Sequence, residues 1–137
     1  MSAHAVVGTG YWGSNHVRVA AELMEAGEIE KLVLCDLPGS GVEDMARNYD
    51  AEHVHDYHKL PSIGVETATI ATPSPTHHDI ATDLLEHGVD CLVEKPLALT
   101  SENAWDMVNK ASEQNRTLGV GHIFRHHPAL CDLKRRI

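Results

Sequence analysis

The densest chemical pattern in the chain is Gly8-Thr9-Gly10-Tyr11-Trp12-Gly13. It reads G-x-G-x-x-G, follows the apolar run Ala5-Val6-Val7, and opens into a helical pattern from Ser14 to Ala26. A second apolar run, Leu32-Val33-Leu34-Cys35, ends in Asp36. This order of strand, turn, helix, strand and acid is the context a dinucleotide fingerprint requires. Gly8 permits the tight turn, Gly10 lets the backbone approach a pyrophosphate, and Gly13 lets the helix pack close to the strand. The helix N-terminus adds unpaired N–H groups and the positive end of its dipole. Asp36 is spaced to accept hydrogen bonds from adenine ribose hydroxyls. A structural turn that binds nothing could use the same glycines. S-adenosylmethionine-dependent methyltransferases also pair a glycine turn with an acid, so this stretch alone leaves the cofactor open.

A second group of residues narrows the choice. Glu94-Lys95-Pro96 follows the apolar run at 90–93. A lysine there points an ammonium into the crevice where a nicotinamide would lie. Pro96 makes the backbone at Lys95 extended and stiff. Beside the positive ring of an oxidised nicotinamide, a partly desolvated lysine is pushed towards its neutral form, as a proton acceptor must be. A solvated surface lysine is the alternative reading of these three residues.

The elements that must hold these residues alternate. Strands are expected at Ala3–Gly8, Lys31–Asp36, His53–His55, Glu66–Ala71, Asp90–Glu94 and Thr117–Gly121. Helices are expected at Ser14–Ala26, Val42–Tyr49, His77–His87, Ser101–Asn115 and Pro128–Ile137. Thr100 reads as an N-cap, with Ala104, Trp105, Val108 and Ala111 facing inward. Such alternation implies an α/β fold with a doubly wound, mostly parallel sheet and helices on both faces. Its ligand crevice lies at the carboxyl ends of the strands. The segments expected there are Gly8–Gly13, Asp36–Gly41, Thr72–His77, Glu94–Leu97 and His122–Arg125, and every unusual motif in the chain falls among them.

Composition sets outer limits. The 137 residues suffice for one domain with a core, whereas a two-domain dehydrogenase needs roughly twice that. Eleven basic against 20 acidic residues give a net charge of −9, which argues against nonspecific nucleic-acid binding. Cys35 and Cys91 lie in strand-like runs, where a thiol acts as a small hydrophobe. The three cysteines show no zinc-type spacing. Eleven histidines raise the question of a metal. His77 and His78 diverge on a helix, and no acid or cysteine completes the set around His53, His55 and His58, so no metal is expected. The N-terminus runs straight into a strand without a signal peptide, and no apolar run reaches membrane-spanning length. The expected location is the cytoplasm.

The same motifs carry a resemblance. The glycine turn, then Ala71-Thr72-Pro73-Ser74-Pro75-Thr76-His77, then Glu94-Lys95-Pro96, then Gly121-His122-Ile123-Phe124-Arg125-His126-His127-Pro128 resemble, in order and spacing, the glucose–fructose oxidoreductase / inositol dehydrogenase / rhizopine catabolism (Gfo/Idh/MocA) family. The E-K-P tripeptide is the more specific part. The Tyr-Trp-Gly and Gly-His-x-Phe-Arg wording is most similar to members acting on nucleotide sugars. Ser74 departs from the asparagine common in the family.

The resemblance implies a Rossmann NAD-binding domain over residues 1–122. Residues 123–137 would begin the connection to a C-terminal α/β substrate domain. On this reading the chain is a truncated cofactor half, inactive alone. It implies that Gly8, Gly10 and Gly13, with the amides of Tyr11 and Trp12, bind the pyrophosphate. Asp36 would favour NAD over NADP. Thr72, Pro73 and His77 would line the ribose and nicotinamide side, Glu94 would position cofactor or lysine, and Arg125 and His122 would face cofactor or substrate. Lys95 would be the catalytic residue, taking a substrate hydroxyl proton while hydride passes to the nicotinamide. The full enzyme would oxidise a secondary alcohol of a sugar, polyol or nucleotide sugar and form a homo-oligomer, with no membrane or nucleic-acid partner. The alternatives are a non-catalytic dinucleotide-binding or sensing module and a methyltransferase.

Overall fold

A computed structural model describes residues 2–137. Six strands, β1 (Ala3–Val7), β2 (Lys31–Cys35), β3 (Glu52–Val54), β4 (Val65–Ile70), β5 (Asp90–Val93) and β6 (Leu118–Val120), form one sheet in the order β3-β2-β1-β4-β5-β6. Every neighbouring pair is parallel. Five helices connect or follow them: α1 (Gly13–Glu25), α2 (Val42–Asn48), α3 (His77–Glu86), α4 (Ser101–Glu113) and α5 (Pro128–Arg136). The strand order reverses between β1 and β4, which opens the crevice at their carboxyl ends. This is the doubly wound α/β arrangement expected, with element ends moved by one or two residues.

The central strands β1 and β2 are buried on both faces, and their alternation shows how. Ala5 and Val7 of β1, with Val33 and Cys35 of β2, pack into the cluster built with Leu84 and Leu85 of α3 and Met107 of α4. Val6, Leu32 and Leu34 point the other way, against Val17 and Ala20 of α1 and Val42 of α2. Each fully buried Val or Leu contributes roughly 1.5–3 kcal/mol, so this two-sided burial is what holds the crevice rigid. The Cys35 and Cys91 thiols belong to the core, and burial pushes both up to about 12. They behave as small hydrophobes.

Helix α4 corrects one expectation. Trp105 is 66% exposed and Val108 41%, while Met107 is fully buried with Ala111. At about 100° per residue, Ala104, Met107 and Ala111 share a stripe and Trp105 lies well off it. The Thr100 cap is present, its hydroxyl accepting the Asn103 amide at 3.2 Å. No helix among the described residues is long and apolar enough to cross a membrane.

Candidate functional site

The loop after β1 turns at Gly8, whose φ of +89° suits glycine. A Cβ there would lie 2.7 Å from the Ala71 carbonyl group, so the turn presses directly on the loop after β4. A Cβ on Gly13 would collide with the Gly8 carbonyl, with the Gly8 carbon only 2.8 Å away. Gly8 and Gly13 are thus required by the turn itself. Gly10 is different: a Cβ there would meet nothing within 4 Å, and its φ is not left-handed. Neither packing nor backbone conformation explains the missing side chain, whereas a ligand passing close above does. Among the described residues, the amides of Tyr11, Trp12 and Gly13 have no protein acceptor. The cradle fits the pyrophosphate of an adenine dinucleotide.

Asp36 stands at the end of β2, one strand away. Its Oδ2 accepts hydrogen bonds from the Thr9 amide at 2.7 Å and the Thr9 hydroxyl at 2.8 Å. Its Oδ1 accepts the Leu37 amide at 2.7 Å. His55, after β3, donates from Nδ1 to the Asp36 carbonyl at 2.9 Å and meets Glu43 at 3.1 Å. The histidines at 53 and 55 therefore touch edge-on, but His55 is engaged in holding the Asp36 loop. No group of three metal-ligating side chains occurs among the described residues.

Glu94 joins the turn to the fifth strand. It is 7% exposed, and its Oε1 accepts the Trp12 indole N–H at 2.6 Å and His16 Nε2 at 2.8 Å. Its Oε2 accepts the amide of Lys95 at 3.1 Å. Burial alone would raise this carboxyl. The donations from His16, Trp12 and the Lys95 amide outweigh burial and hold it below the ordinary range. Gly121 lies against the same carboxylate, where a Cβ would come within 3.0 Å. The Trp12 indole is thus anchored through its N–H to Glu94, while the residue stays 42% exposed. His16 is the residue that sequence reading missed. It sits on α1 three positions past Gly13, about one turn along the helix, and only that helical placement could have signalled it.

The loop after β4 is tied to the E-K-P loop by His77. Its ring is 1% exposed, with Nδ1 2.8 Å from the Pro96 carbonyl and Nε2 2.9 Å from the Thr72 carbonyl. The Thr76 hydroxyl donates to the Pro73 carbonyl at 2.7 Å and lies 2.8 Å from the Thr72 hydroxyl, from which it can accept. The Lys95–Pro96 peptide is cis, and Lys95 is exposed. A cleft of about 1080 Å³ opens here, lined by Trp12, Thr72, His77, Glu94, Lys95 and Arg125, with His122 beside them. Gly8, Gly10, Tyr11, Gly13, Asp36 and Pro73 do not line it. The turn and Asp36 lie farther along the same edge of the sheet, so the site is elongated, with an acid at one end and a lysine at the other.

Comparison with known proteins agrees with this geometry. The family profile described as "Oxidoreductase family, NAD-binding Rossmann fold" matches residues 3–122. The scyllo-inositol 2-dehydrogenase (NAD(+)) of Bacillus subtilis is 35% identical over 136 residues, which is 97% of this chain and 39% of that protein. The solved UDP-N-acetylglucosamine 3-dehydrogenase from Acidithiobacillus ferrooxidans superposes with a TM-score of 0.88 at 27% identity, covering 98% of this chain and 43% of its own. GenD2 from gentamicin A biosynthesis, solved in complex with NAD, gives a TM-score of 0.80 at 28% identity over 93% of this chain and 36% of its own. The chain thus spans about two fifths of the length of the relatives it matches. A glycine turn with room above Gly10, an acid after the second strand and an E-K-P loop at the crevice, with the family profile matching residues 3–122, place the chain in the Gfo/Idh/MocA oxidoreductase family, as its NAD-binding Rossmann domain.

Proposed function

We propose that this chain is the cofactor half of a dehydrogenase that oxidises a secondary alcohol of a sugar, polyol or nucleotide sugar. The observation that carries the reading is the unfilled space above Gly10 between an acid-bearing loop and a lysine-bearing cleft. Gly8, Gly10 and Gly13, with the amides of Tyr11 and Trp12, hold the pyrophosphate. Asp36 accepts from the adenine ribose, and the lone-pair position left on its Oδ1 supports that role. Thr72 and the loop braced by His77, which carries Pro73 just outside the cleft lining, border the ribose and nicotinamide end, with Arg125 in the same lining. NAD, when bound, supplies a hydride acceptor. Lys95 faces the cleft as the group that binds the substrate hydroxyl and takes its proton, and Glu94 fixes the Lys95 amide.

The relatives' substrates, inositol and UDP-N-acetylglucosamine by name, support a polyhydroxylated substrate class. We place the domain division at residue 122 and assign 123–137 to the connection with a substrate domain. A homo-oligomer and a cytoplasmic location belong to the same proposal; the free thiols of Cys35 and Cys91 suit the location, a reducing compartment.

Calorimetric titration tests the cofactor half. NAD should bind and S-adenosylmethionine should not. Asp36→Ala should weaken NAD by about 1.5–3 kcal/mol and narrow the gap to NADP, the range for hydrogen bonds to a charged group. Unchanged affinity and preference would remove Asp36 from the ribose. Lys95→Ala should leave NAD affinity intact and cost at least about 100-fold in sugar-dependent NAD reduction, measured where this chain is joined to a substrate domain. Normal turnover there would take Lys95 out of the mechanism.

A further inference from the structure

Asp36 is oriented by the glycine turn, not only by the end of its strand. Both the amide and the hydroxyl of Thr9 donate to the same oxygen, Oδ2, at 2.7 and 2.8 Å. Thr9 is 6% exposed, so its hydroxyl has no competing solvent contact of consequence. With the Leu37 amide on Oδ1, three of roughly four lone-pair sites are filled, and the remaining acceptor position is on Oδ1. The Asp36 main chain is fixed as well, its amide donating to the Val54 carbonyl at 3.3 Å and its carbonyl accepting from His55.

We propose that Thr9 is a specificity-determining positioning residue, whose hydroxyl locks the Asp36 carboxylate so that the site takes a 2′-hydroxyl and rejects a 2′-phosphate. The inference rests on the proposed binding of NAD at this turn. An aspartate free to rotate about χ1 can swing away from an arriving phosphate, and solvent then screens most of the repulsion. A locked one cannot yield. It presents an acceptor to a ribose hydroxyl, which can donate, and a fixed negative charge to a phosphate, which can only accept. Thr9 touches no cofactor atom in this account and acts wholly through Asp36.

The test titrates NAD and NADP into wild type, Thr9→Val and Thr9→Ser, with thermal unfolding of each. Valine keeps the branched shape and the amide and deletes only the hydroxyl. Thr9→Val should bind NAD about three- to tenfold more weakly, the net effect of one lost hydrogen bond. NADP should weaken less or gain, so the ratio of the two dissociation constants falls. Thr9→Ser should keep the wild-type ratio. A purely structural role would weaken both dinucleotides equally. If Thr9→Val does not fold, Thr9→Ala takes its place with the same expected ratio. An unchanged ratio in a folded variant lacking the hydroxyl overturns the inference alone. A wild-type chain that binds neither dinucleotide overturns the cofactor reading, and this inference with it.

Discussion

Replacing His4 with glutamine should remove about 3 kcal/mol of acid sensitivity from the folded chain between pH 7 and pH 4. His4 lies on β1, on the α1 side of the sheet, with Nδ1 2.8 Å from the Thr67 hydroxyl and Nε2 3.1 Å from that of Thr69. Burial pushes its pKa from 6.5 down to about 4, and the nearby His16 adds to the effect. The unfolded chain takes up a proton near 6.5, and the folded chain does not until about 4. Folding below pH 6.5 must therefore expel that proton, and the penalty grows until about pH 4, where it levels off. A shift of this size is worth about 3 kcal/mol, a large part of a typical domain's 5–15 kcal/mol. Glu94 adds an acid loss that wild type and variant share. Its carboxyl is held low, so its contribution is present above the ordinary value and fades as pH falls through the folded one. Urea unfolding of both proteins at pH 7 and 4 reads the difference. Parallel pH profiles would show that His4 is not the group being titrated.

The second large effect concerns the glycines. Gly13→Ala should cost at least about 2 kcal/mol of stability and abolish NAD binding. The added carbon meets the backbone of Gly8, which no rotamer can move aside, so α1 must back away from β1. The helix gains at most about 1 kcal/mol in propensity from alanine, too little to offset the clash. Gly10→Ala should behave oppositely. Its carbon enters open space, so the melting temperature should hold while NAD affinity falls at least about tenfold. Two alanines three residues apart would then separate a glycine the fold needs from one that only the ligand needs. Equal losses of stability in both would contradict the free space above Gly10.

Much of this was readable before any coordinates. The alternation of apolar runs and amphipathic stretches yields six strands, five helices and a crevice edge, because a parallel sheet buried on both faces must be written that way. Helix faces were less legible. In α4 the pattern admits two stripes, and Trp105 was placed inward where Met107 is, because neighbouring elements decide which stripe is covered.

The candidate site divides along the same line. Local spacing alone singled out the glycine turn, Asp36 and Lys95 as candidate site residues, since a turn and two strand ends are short-range objects. Only the tertiary structure decided how they are held. Trp12 and His16 meet Glu94 across 82 and 78 residues of chain, and Thr9 reaches Asp36 across 27. Such contacts exist because β1 lies between β2 and β4 with β5 next in order, and that ordering is a property of packing, which no local stretch of sequence contains.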